Sequence, residues 1–132
     1  MDLSRFNVSA AAGVGADLHL KHPSTGEDLF CKDGVTPFVI RVLGADAKSV
    51  REGSRALQER VAKGDLTKEE AAQNSVVLAI CGWSDEMEYN GKPLPYSPEN
   101  ALKLMTDESS SWIAEQIAPF SLRRRNFAQN MT

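Results

Sequence analysis

The stretch DLTKEEAAQNSVVLAICGW, Asp65 to Trp83, constrains the fold more than any other part of the chain. Thr67 and Glu70 have the spacing of a capping box, in which each side chain reaches the other's exposed backbone donor, so a helix starts here. Its far half, SVVLAICGW, is apolar nearly all round. An element without a polar face must be covered by a sheet, by other helices or by another subunit. The spacing predicts one helix to the end of this apolar run, with Gly82 freeing the chain to turn.

Upstream, the period is two. In ADLHLKHPSTGEDLF, Leu18 and Leu20 alternate with Asp17, His19 and Lys21, which predicts a strand. Pro23 and Gly26 punctuate a turn in HPSTGE, and DLFCKDGVTPFVIRVLG carries the chain back, with Phe38, Ile40 and Val42 alternating against Val39, Arg41 and Leu43. The period then changes. Val50, Leu57 and Val61, with Ala56, form the apolar stripe of a helix that Asp46 can cap and Gly64 can end.

Downstream of Trp83, Asn90-Gly91 is the dipeptide that best tolerates the positive φ angles of a tight hairpin. Ser97 reads as an N-cap and Pro98 as the first residue of a helix, with Ala101, Leu102 and Met105 as its apolar stripe. Trp112, Ile113, Ile117 and Phe120 recur at helical intervals, and Pro119 predicts a kink or a break between two short helices. The expected class is α+β: a small N-terminal antiparallel β-sheet over 16–44, followed by four to five helices over 45–127 with a short hairpin near 87–95. Residues 1–15 are expected as a flexible lead-in and 128–132 as a frayed tail.

At 132 residues the chain is the size of one ordinary domain, and a single domain is expected. No run approaches the roughly eighteen apolar residues of a membrane span, and the start lacks the basic and continuous apolar blocks of a secretory signal. A soluble, unexported protein is expected. Its cysteines, Cys31 and Cys81, suit free thiols of a reducing cytoplasm. A net charge of −3 argues against nucleic acid as the partner and leaves protein.

Chemistry-bearing patterns are sparse. His19 and His22 stand three apart, which on a strand places them on opposite faces, so they read as solvated side chains and no metal site is expected. GVGAD lacks the flanking strand and helix of a phosphate cradle. Adjacent carboxylates such as Asp85 and Glu86 lie on polar faces. Neither a catalytic site nor a cofactor is expected. Arg123 to Arg125 form the one dense basic run, readable either as a solvated helix end that favours the dipole or as a partner contact. Trp83, Trp112, Phe120 and Phe127 are most simply core, yet with VVLAI they exceed what a small core encloses, and the surplus predicts an exposed apolar face.

In their order, these features resemble the tail assembly chaperones of long-tailed bacteriophages. The resemblance runs from about Ala16 to Phe127 and is carried by Gly82-Trp83, by Gly91 with PLPYSPEN and by Asn126-Phe127. It implies a non-enzymatic protein of the host cell cytoplasm that binds the tape-measure protein, keeps it soluble and helps recruit tail-tube subunits. Self-association and a longer form of the same chain made by ribosomal frameshifting are implied as well. The candidate partner-binding segments are the aromatic closing helix from Trp112 to Phe127 and the apolar half of the second helix, with Trp83, Trp112, Ile113, Ile117, Phe120, Arg123, Arg124 and Phe127 as the candidate residues. The alternative is a minor tail or tail-completion subunit retained in the virion.

Overall fold

A computed structural model describes residues 1–131. In chain order its elements are α1 (Val8–Val14), β1 (Ala16–His19), β2 (Val39–Val42), α2 (Lys48–Ala62), α3 (Lys68–Ala79), β3 (Ile80–Trp83), β4 (Glu88–Tyr89), β5 (Lys92–Pro93), α4 (Pro98–Met105) and α5 (Ser111–Leu122). Short 3-10 segments cover Leu3–Arg5, Glu108–Ser110 and Arg124–Asn130. The class is α+β, with helices against one antiparallel sheet.

The sheet is not confined to the N-terminal part. Its order is β1-β2-β3, and the third strand comes from ICGW, which sequence periodicity had placed inside the second helix. Helix α3 stops at Ala79, and Ile80 is already extended. Pairing runs Ile40 to Trp83 and Arg41 to Gly82, then slips so that Val42 faces Ile80, leaving Cys81 as a bulge. This extra residue is what lets Ile80 and Trp83, three apart, share the inner face that a regular pleat would divide. They join Leu18, Ile40 and Val42 in a core completed by Ala101 and Leu104 of α4 and by Ile113 and Ile117 of α5.

The expected hairpin around HPSTGE is also different. The turn forms, with the His22 N–H donating to Glu27 O at 2.7 Å, but the returning segment makes only isolated bridges, and the ladder of β1 is with β2. Between them residues 20–38 form an arm. Gln116 of α5 anchors it by donating from Nε2 to Lys21 O and accepting from Lys21 N, both at 2.9 Å.

Local caps are made as read at three places. Thr67 and Glu70 form the reciprocal capping box, Ser97 accepts from Asn100 N ahead of Pro98, and Asn90 and Gly91 turn the β4–β5 hairpin at φ 53° and 78°. Asp46 does not cap α2, whose first turn has Ala47 at its N-cap and no side-chain bond. Its carboxylate instead receives Arg124, Nε at 2.8 Å and Nη2 at 3.1 Å. In α4 the buried stripe is Ala101, Leu104 and Met105, while Leu102 faces out.

Three further expectations are corrected. Residues 1–15 are no lead-in: Asn7 caps α1 by accepting from Ala10 N, and Ala11 and Ala12 are buried. Nor do residues 128–131 of the expected 128–132 tail fray, since the last 3-10 segment lies on α1 and Asn130 Nδ2 donates to Ala11 O at 3.0 Å and Gly15 O at 2.9 Å; Thr132 lies outside the described residues. Pro119 breaks nothing. Helix α5 runs through it to Leu122, because the missing N–H falls in the last turn and the ring lies on an exposed face, so a single lost backbone bond is tolerated.

Candidate functional site: an open groove over the central helix

Residues expected to meet a partner divide sharply by burial. Ile117 is 0% exposed, Phe127 2%, Ile113 5% and Trp83 9%, so these four belong to the interior and are corrected as surface contacts. Trp83 is further fixed by donating from Nε1 to Leu94 O at 2.8 Å and by an edge-on contact with Tyr96, whose hydroxyl donates to Ile80 O. Those bonds account for the crowded loop after Gly91 as scaffold. Phe127 stacks edge-on against Phe120 at 5.8 Å. Trp112 and Phe120 are half-buried, and Arg123 and Arg124 are exposed, with Arg124 engaged by Asp46. The eight positions do not form one patch.

What the fold leaves open lies elsewhere. Helix α3 has α2 on one flank and α4 with α5 on the other, and above it lies a trough. At Gly53 on α2 an added Cβ would come within 2.7 Å of Leu78, so α2 sits tight on that side of α3. The opposite side of α3 gives its Val76 and Val77 to the core of α4 and α5. Between the flanks, Ala72, Ser75, Val76 and Ala79, spaced at helical intervals, form the floor.

Three adjoining hollows open on this helix, of about 500, 340 and 360 Å³: the first at its Ala79 end between α2 and α5, the other two at its opposite end, one on the α2 side and one on the α4 and α5 side. The largest has Val50, Ser54 and Gln58 of α2 as one wall and Ala118, Ser121 and Leu122 of α5 as the other. Leu122 is 72% exposed at its rim. Val61 and Leu57 wall the second hollow, and Met105 and Ala114 the third. A sequence reading that named the apolar half of this helix found part of the floor. Naming the closing helix from Trp112 to Phe127 took in the α5 wall, but the α2 wall was missed, because Ser54 and Gln58 carry no signal until α2 is placed beside α3.

Charge is unevenly distributed along the trough. Arg51 and Arg55 line the end near Ala79, whereas Glu69, Asp107 and Glu108 line the end near the α4–α5 turn. The Tyr89 hydroxyl donates to Asp107, and with Ser109 it holds that carboxyl below the usual carboxylate range. Asp107 is therefore ionised at neutral pH.

Both histidines are engaged locally. The His19 ring nitrogen Nε2 sits 2.6 Å from Leu29 O, and His22 Nδ1 accepts from Ser24 N and Thr25 N. Among the described residues, no three His, Cys, Asp or Glu side chains converge as metal ligands, and both cysteines are free thiols. Burial pushes the Cys81 thiol up, and Cys31 is raised mainly by burial with Glu86 adding to it. No helix among the described residues is long and apolar enough to cross a membrane. No protein-family model, curated protein or solved structure matches the chain.

Proposed function

We propose that this chain is a bacteriophage tail assembly chaperone that binds the tape-measure protein, keeps it soluble and helps recruit tail-tube subunits in the host cytoplasm. The observation that supports it is the trough over α3. A small-residue floor between two helical walls suits an amphipathic helix laid into a groove, one of the recurring modes of peptide recognition. A client that is long, helical and apolar gains about 25 cal/mol for each square ångström of apolar surface it covers there, without demanding a single side-chain pattern. The order of sequence features from Ala16 to Phe127 supports the same reading. The role is non-enzymatic, and self-association with a frameshifted longer form belongs to it.

Ala118 is exposed and lines the trough, so Ala118→Trp fills the space without touching the core. Retention of the tape-measure protein on the immobilised chain should fall at least tenfold, with far-UV dichroism and unfolding midpoint unchanged. Undiminished retention would refute the trough as the client site; no retention by either form would refute the function.

A second reading, a minor tail or tail-completion subunit, is favoured by a separate observation. Leu3 is 73% exposed, Val35 77% and Phe6 56%, which is apolar surface suited to a permanent neighbour. Mass spectrometry of purified particles separates the two: recovery of this chain in stoichiometric amount supports the subunit, and its absence supports the chaperone.

A further inference from the structure

We propose that the trough reads helix direction: its occupant is an amphipathic helix lying parallel to α3, basic in its first turn and acidic in its last. The inference rests on the proposed client being helical, and deepens that reading by fixing the client's sense and charge.

The axis of the trough follows α3. Val50 lies beside Ala79, and Val61 beside Ala71, so α2 runs antiparallel to α3. Ala114 lies beside Ala72 and Ser121 beside Ala79, so α5 runs in the same sense as α3. The two ends of the trough therefore correspond to the two ends of α3.

Those ends differ in sign. At the Ala79 end, Arg51 and Arg55 are exposed on one face of α2, one turn apart, with no carboxylate lining that hollow. Among the described residues neither guanidinium is in an ion pair, and Arg51 makes only a 3.5 Å contact from Nη2 to Ser9 Oγ. At the other end, Glu69, Asp107 and Glu108 line the hollow with no cation among them, and Lys68 lies across on the α2 side.

A helix carries partial positive charge at its N-terminus and partial negative charge at its C-terminus. Laid parallel to α3, an occupant presents its N-terminus to Glu69, Asp107 and Glu108 and its C-terminus to Arg51 and Arg55. Side-chain charges of a Lys-first, Glu-last helix add to this preference, and the reversed helix suffers both terms with opposite sign. Apolar burial supplies attraction without orientation; the charges supply orientation.

Two labelled helical peptides of about eighteen residues, long enough to hold helix, test this by fluorescence anisotropy. They share one apolar face and differ only in having Lys first and Glu last, or the reverse. The matched peptide should bind about five- to tenfold tighter at low ionic strength. That ratio should collapse near 1 M salt, where the screening length is about 3 Å. Arg51→Glu with Arg55→Glu, both on an exposed face, should abolish or invert the ratio.

Equal affinities, or a ratio unmoved by the charge reversal, would overturn the inference. Peptides that fail to bind while the tape-measure protein is still retained would overturn it and leave the function standing. Loss of both would sink the function as well. A dimer in sedimentation that Ala118→Trp dissociates would show a second copy in the trough, and would also overturn it.

Discussion

Phe127→Ala distinguishes an interior anchor from a client contact, and its cost can be worked from the structure. The ring is 2% exposed, in a small cluster with Ala11 and Ala16, covered by Phe120 and Met131. Returning a buried Phe side chain to water costs about 1.5–3 kcal/mol. Losing the edge-on contact with Phe120 at 5.8 Å adds about 0.5–1.5 kcal/mol. The cavity term is small, because Met131 is only half-buried and can settle inward. The expected loss is about 3 kcal/mol, at the lower end of the range for Phe→Ala in cores. With a slope near 1.5 kcal/mol/M, the urea midpoint should fall by about 2 M, followed through the fluorescence of Trp83 and Trp112. Amide exchange should rise first in α1 and in the segment Arg124–Asn130, which rest on this ring. A stability loss below about 0.5 kcal/mol, the scale of a surface substitution and about 0.3 M in midpoint at that slope, would show that the ring is not an interior anchor.

Two further perturbations probe the same end of the molecule, and both read out in urea titrations. At Gly44 an added Cβ would stand 2.6 Å from the Ala12 Cβ and 3.2 Å from the Ala12 Cα, neither of which can swing aside, so Gly44→Ala should cost about 1–3 kcal/mol as overpacking; a neutral result would mean α1 is free to lift. The Arg124 guanidinium holds Asp46 below the usual carboxylate range, so the pair's contribution is present above the unfolded Asp pKa and is lost as pH falls through the lower folded value. Asp46→Asn should therefore lower the midpoint at neutral pH, by an amount that shrinks as the pH falls below the usual carboxylate range; a shift independent of pH would refute the pairing.

Legibility from sequence tracked the range of the interaction. Thr67 with Glu70, Asn90 with Gly91, and Ser97 with Pro98 each satisfy a backbone demand within a few residues, so the residues alone announce the structure. Ile80 to Trp83 did not, because an apolar run has no period to separate strand from helix, and what extends it is β2, some forty residues earlier. Helix α1 was not read either: VSAAAGV offers no large apolar stripe, and the burial of Ala11 depends on Phe127, more than a hundred residues away. Burial likewise defeated the site prediction. Large aromatics at helical spacing look the same in sequence whether a neighbouring element covers them or a partner does.

The pairing of α1 with the closing 3-10 segment orders events on the ribosome. Ala11 and the Gly15 carbonyl wait for Phe127 and Asn130, more than a hundred residues later in synthesis. Until then α1 is held only on its Ala12 side, by Gly44, Ala47 and Val50, and loop-closure entropy for so distant a contact slows the covering of Ala11. The earliest-made part of the fold is thus the last to be locked, so a nascent chain stalled before residue 124 should expose α1 to proteases.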